Sequence, residues 1–202
     1  MNRVLATIGV CALAAAAVVA QQARPTTQTP AKPGTSVSMS AAGPITTSIR
    51  ATFDEVKDYI LRSAQMVDDK DFGFKPAGVA AEVRSYGQIL GHIANANYGF
   101  CGSILGAAGA GEHGPKGEDY EKIASHVEME KALAAAFAYC DKAYTAVNDR
   151  NGGDSIKLFF GAESTKLGAL AYNNAHNFEH YGNLVTYLRA MGKVPPSSQP
   201  KK

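Results

Sequence analysis

Four stretches of the chain place apolar residues at the spacing of one buried helix face, and nowhere does a period-two strand pattern last. From Pro44 to about Asp69, Ile45, Ile49, Phe53, Val56, Ile60 and Val67 recur at helical steps, which predicts a first helix. The Gly/Pro-containing stretch 71–83 interrupts it. Ser85 with Gln88 three residues on is then a capping-box signal for a second helix, from about Tyr86 to Ala107, burying Ile89, Ile93, Ala96, Phe100 and Ile104. A Gly-rich segment follows, and Ser125 with Glu128 marks a third start in the same way. The stripe of that helix is Met129, Leu133, Phe137, Cys140, Tyr144 and Val147, and Asn151-Gly152-Gly153 ends it. A fourth helix opens near Ser164 and stops at Gly192, with Pro195-Pro196 just beyond. Its core-facing stripe reads Tyr172, His176, His180, Leu184, Tyr187 and Met191. An all-α four-helix bundle over residues 44–196 is the economical way to bury four such faces around one core.

The flanks read differently. Arg3 followed by the apolar run Val4 to Ala20, with Val18-Val19-Ala20 before Gln21, has the form of a signal peptide over residues 1–20. The competing reading is a retained anchor, since the run is at the lower edge of the ~17 residues a spanning helix needs. Cleavage implies an exported protein, periplasmic or extracellular, with no membrane association afterwards. Residues 21–43 are rich in Thr, Pro, Ser and Ala with little to bury, and are expected to form a disordered linker; 197–202 form a tail. Of the 202 residues, 46% are hydrophobic, enough for one sizeable core. The net charge of +2 is the difference between 20 basic and 18 acidic residues, and the basic ones form no block apart from Lys201-Lys202. That argues against nucleic acid as a partner.

Candidate chemistry lies in the histidines. His176 and His180 are four apart on the fourth helix and so project from one face, where both can reach a single ion. They fall on the stripe assigned to the core, which places them inside the bundle rather than in water. His92, on the same side of the second helix as Ile89 and Ala96, is the natural third ligand. Neutral imidazoles suit zinc, nickel, copper or iron, zinc or nickel foremost, and three protein ligands with an open position is the form of catalytic zinc sites. The plainer alternative is three ordinary hydrogen-bonded histidines. His113 and His126, in a loop and at a helix start, are expected to be solvated. The string His176-Asn177-Phe178-Glu179-His180 matches the H-x-x-E-H form of one metalloprotease class, but no Asp or Glu follows His180 to complete that ligand set. Glu179 is a candidate general base or ligand-orienting carboxylate, and Tyr172 a candidate assisting residue. No pair of Glu-x-x-His motifs for a di-iron site, no Cys-x-x-Cys-His for covalent haem and no P-loop is present.

Two segments carry a family resemblance. Phe74-Lys75-Pro76 with Ser85-Tyr86-Gly87-Gln88-Ile89-Leu90-Gly91-His92-Ile93-Ala94 is one. His176-x-x-x-His180, with Gly182-Asn183-Leu184-Val185-Thr186-Tyr187-Leu188-Arg189 and Gly192-Lys193-Val194-Pro195-Pro196, is the other. Together they resemble the DinB-like proteins, which include DfsB-type members, over roughly Ile45 to Pro196. The resemblance implies up-down-down-up order and a divalent metal held at His92, His176 and His180. Relatives include thiol S-transferases and isomerases that use small thiols.

After signal cleavage only Cys101 and Cys140 remain. At ~1.5 Å per residue they lie at similar heights on the second and third helices if those run parallel, and are offset by roughly 14 Å if antiparallel. Parallel order therefore permits a disulfide, favoured in an oxidising compartment; two buried free thiols are the alternative. The expected function is that of an exported metal-dependent hydrolase acting on a small molecule whose identity the sequence does not give. A thiol S-transferase-like enzyme and a non-catalytic metal-binding or structural module are the alternatives. Tyr and Ala residues on outer helix faces could pair two bundles as a homodimer.

Overall fold

In a computed structural model of the chain, residues 43–107, 111 and 113–200 are described. The signal peptide or anchor at 1–20, the linker up to residue 42 and the last two residues of the tail lie outside the described residues. Among the described residues no helix is long and apolar enough to cross a membrane.

Helix α1 spans Pro44–Gln65 and has no cap from its own preceding side chain. A carboxylate from far along the chain takes that role: Asp149 accepts from the Ile45 and Thr46 amides at 3.1 and 2.9 Å, placing negative charge where the helix dipole favours it. Helix α2, Tyr86–Leu105, begins with a complete capping box between Ser85 and Gln88 and ends at Gly106, whose positive φ of 66° suits glycine. Helix α3 spans His126–Ala146, but the Ser125 side chain makes no capping bond. Asp69 instead accepts from the His126 amide at 2.6 Å, so the expected Ser125–Glu128 box is replaced by a long-range cap. Helix α4 spans Lys166–Ala190, capped by the Thr165 hydroxyl accepting from the Gly168 amide at 3.0 Å.

A short antiparallel hairpin, β1 (Ser155–Lys157) and β2 (Glu163–Thr165), precedes α4. It corrects the expectation of no strands. Three residues per strand are too few for alternation to show, and their pairing delays α4 to Lys166.

Cross-helix bonds give the order. Asn174 donates to the Ile49 carbonyl at 3.0 Å and Lys193 to the Met66 carbonyl at 2.9 Å, so α1 and α4 run parallel. Arg50 near the start of α1 pairs with Asp141 near the end of α3 at 2.8 Å, and Asp149 just beyond α3 caps α1; these two helices are antiparallel. Tyr187 late in α4 donates to the Arg84 carbonyl just before α2, while Tyr172 early in α4 packs on Phe100 late in α2. The result is the up-down-down-up four-helix bundle. Between its two parallel neighbours, α2 and α3, Cys101 and Cys140 are joined by a disulfide with a Cα separation of 5.2 Å.

The core is apolar, with Phe53, Leu90, Ile93, Leu133 and Phe137 at or near zero exposure, but a polar seam crosses it. The Asn97 side-chain oxygen on α2 accepts from Asn173 at 2.8 Å and from Asn177 at 3.1 Å, both on α4. The Tyr144 hydroxyl on α3 lies 3.0 and 2.8 Å from the side-chain oxygens of Asn173 and Asn174. The α4 face turned inward is therefore Ala169, Leu170, Asn173, Asn174, Asn177, Tyr181, Leu184, Tyr187 and Leu188. Leu184 and Tyr187 of the expected stripe are buried, but in the first half of the helix the stripe is rotated by about one residue. Tyr172 is 52% exposed, and His176 and His180 sit half-buried on the shoulder of α4 instead of in the interior. Ile45, at 55% exposure, likewise lies outside the core.

The disulfide spans a sequence separation of 39. Loop-closure entropy for that length is worth about 4 kcal/mol. Replacing both cysteines by serine is expected to lower the unfolding free energy in urea by about that amount while the helical circular-dichroism spectrum is retained.

Candidate metal centre

Antiparallel packing of α2 on α4 brings His92 opposite the one-turn pair His176 and His180. The Nε2 atoms of His92 and His176 are 3.3 Å apart, and those of His176 and His180 3.1 Å. All three ligand nitrogens lie within 4.8 Å of one another. Tetrahedral zinc with Zn–N bonds of about 2.05 Å requires ligand separations of about 3.3 Å. Both separations are close to that requirement.

Burial and charge suit a neutral ligand set. Burial pushes the His176 pKa down to about 3, reinforced by His180 and His92; burial pushes His180 down to about 4, reinforced by His92 and Arg84. Neutral imidazoles offer lone pairs, and lone pairs from separate rings aimed at one point repel unless a cation or proton lies between them. The outer nitrogens have separate surroundings. His92 Nδ1 is 3.1 Å from Glu121 Oε1, and His180 Nδ1 is 3.4 Å from the Asn183 amide nitrogen. His176 Nδ1 is buried with no hydrogen-bond partner among the described residues, and the Phe100 ring packs 5.6 Å from the His176 ring. Three converging nitrogens, depressed basicity and an all-nitrogen donor set fit a borderline divalent ion such as zinc or nickel.

Aromatic rings border the centre on one side. Phe100 touches Tyr172 at 5.0 Å and, edge-on, Phe159 of the hairpin turn at 5.2 Å. Phe160 and Tyr172, 6.0 Å apart, are both half-exposed. A side chain at position 99 would run into Phe159, so Gly99 lets the hairpin close onto α2.

Tyr172 thus stands one turn before His176 on α4, at the rim. Glu179 is exposed on α4. The carboxylate that touches a ligand histidine is Glu121, from the 3-10 turn Tyr120–Lys122. No helical periodicity reaches that turn, and the only trace in the sequence is an Asp-Tyr-Glu run after a Gly-rich segment. His113 is exposed, and His126 Nδ1 lies 2.8 Å from Asp69, away from the cluster.

The lowered pKa values set an acid sensitivity. Unfolded histidines take up protons near pH 6.5, whereas folded His176 and His180 resist until about pH 3 and 4. Their contribution to stability is complete above pH 6.5 and is lost progressively as pH falls from there to about 3. The metal-free protein is expected to melt at lower temperature at pH 4.5 than at pH 7, with a smaller difference in a His176→Gln/His180→Gln double variant; scanning calorimetry at the two pH values checks this.

The DinB family profile matches residues 51–200. Among solved structures, a DinB-like protein from Bacillus cereus ATCC 10987 superposes with TM-score 0.60 at 16% identity, covering 74% of this chain and 95% of the other. A DinB-like protein from Bacillus subtilis gives TM-score 0.59 at 19% identity, covering 76% and 99%. A mycothiol-dependent maleylpyruvate isomerase gives TM-score 0.56 at 12% identity, with this chain spanning 70% of its own length and 60% of the isomerase. At these identities the likeness is one of fold. No curated protein gives a significant match.

Proposed function

The chain belongs to the DinB family, and on that footing we propose that it is an exported metal-dependent hydrolase of small molecules, with His92, His176 and His180 as its metal ligands. The observation that carries the reading is the convergence of three Nε2 atoms from two helices at separations suited to one ion. A divalent ion held there supplies a Lewis acid that lowers the pKa of water or of a thiol, making a nucleophile available at neutral pH. The chain's own residues would do the rest. His176 and His180 stay neutral and available as ligands at neutral pH, and their half-burial on the α4 shoulder leaves the centre within reach of a small molecule. The exposed rings of Phe160 and Tyr172 give an apolar part of a substrate a surface to lie on. The Tyr172 hydroxyl at the rim and the exposed carboxylate of Glu179 are the candidates for proton transfer.

Export rests on the N-terminal signal pattern and agrees with the Cys101–Cys140 disulfide, since such bonds persist in oxidising compartments. A second reading, transfer to or from a small thiol, draws support from the fold neighbour that is a mycothiol-dependent isomerase. Export weighs against it, because a cytosolic thiol is scarce outside the membrane.

Elemental analysis of the purified mature protein is expected to find about one zinc or nickel per chain, and less than a tenth of that in His176→Ala. Azide added to the cobalt-substituted protein should shift its visible absorption by occupying an open position. Metal content unaffected by His176→Ala would refute the site, and a cobalt spectrum indifferent to azide would leave a non-catalytic binding module.

A further inference from the structure

We propose that Glu121 is a positioning residue that fixes the tautomer and orientation of His92, making His92 the strongest of the three ligands; this rests on the three-histidine reading. Several contacts seat Glu121. Asn95 on α2 grips the turn that carries it, its amide nitrogen donating to Asp119 Oδ1 at 3.0 Å and its oxygen accepting from the Tyr120 amide at 3.1 Å. Asp119 Oδ1 also accepts from the Glu121 amide at 3.1 Å. A side chain at position 91 would collide with the Tyr120 carbonyl, so glycine there lets the turn lie directly on α2, one residue from His92. The Glu121 carboxylate is held from two sides, Oε2 by Arg84 Nε at 3.1 Å and Oε1 against His92 Nδ1 at 3.1 Å.

An ionised carboxylate is acceptor-only, so His92 must present Nδ1–H to it, which leaves the Nε2 lone pair directed at His176 and His180. A carboxylate behind a ligating histidine also raises the basicity of the ring. The other two ligands lack this arrangement. His180 Nδ1 faces a neutral amide, and His176 Nδ1 has no hydrogen-bond partner among the described residues.

The test is zinc affinity by competition with a chromophoric chelator, with ¹⁵N NMR of the histidine rings of the metal-free protein. Glu121→Ala is expected to bind zinc roughly 10- to 100-fold more weakly and to lose the Nδ1–H tautomer of His92. Glu121→Gln, which keeps an acceptor without the charge, should fall between the Ala variant and the wild type. Arg84→Gln removes one of the two holds on the carboxylate but leaves the His92 contact in place, so its loss should be smaller than that of Glu121→Ala. Zinc affinity of Glu121→Ala within twofold of wild type would overturn the proposal. So would a Gln variant weaker than the Ala variant, or an Arg84→Gln loss as large as that of Glu121→Ala, which would point to seating of the turn instead. Should the wild type take up no zinc, the three-histidine reading falls, and the tautomer then decides alone: its loss in Glu121→Ala supports the role of Glu121, and its persistence refutes it.

Discussion

The register of α2 against α4 is set by one buried acceptor, the side-chain oxygen of Asn97, which receives hydrogen bonds from Asn173 and Asn177. A slip of one helical turn moves α4 by about 5.4 Å and strands these amides in an apolar core, where each unpaired group costs about 1–3 kcal/mol. His176 lies between the two donors in sequence, and His92 lies five residues before the acceptor. The alignment that satisfies the amides is therefore also the one that brings the imidazoles together. Fold specificity and the candidate site depend on the same few bonds.

Where the sequence carries local signals, the helices follow them. The Ser85–Gln88 box, Gly106 and Gly192 mark ends that depend only on neighbouring residues. At Pro44 and Ser125 the local reading found the helix starts but not their caps, which come from across the fold, Asp149 for α1 and Asp69 for α3, through contacts whose partners are 104 and 57 residues away. Spacing alone placed the three histidines on faces that could meet. It could not place the inward face of α4, because that face carries three asparagines that any hydrophobicity pattern scores as surface. In the first half of the helix the row Tyr172, His176 and His180 took their place, one residue out of phase, while Leu184 and Tyr187 of the same row are buried. Glu121 escaped for a related reason: its turn has no periodicity, and its position follows from Asn95 and Gly91 on another element.

Half-burial of His176 and His180 is a compromise between opposed demands. Deeper placement would depress imidazole basicity further and shut out a ligand, while full exposure would let protons compete for the same lone pairs near neutral pH. The shoulder of α4, with Phe100 on one flank and the Glu121 turn on the other, satisfies both demands.

The bond between Cys101 and Cys140 encloses the whole α2–α3 connection, including the turn that bears Glu121, in a covalent ring. A protease that severs one peptide inside that ring releases nothing. The nicked molecule keeps its mass, migrates as one species until a reductant is added, and retains the halves of its metal centre on a single tethered piece, since His92 lies on one arm and His176 and His180 on the other. If the protein is exported as proposed, to where proteolysis goes unrepaired, the bridge provides tolerance of backbone cleavage at the connection that carries Glu121.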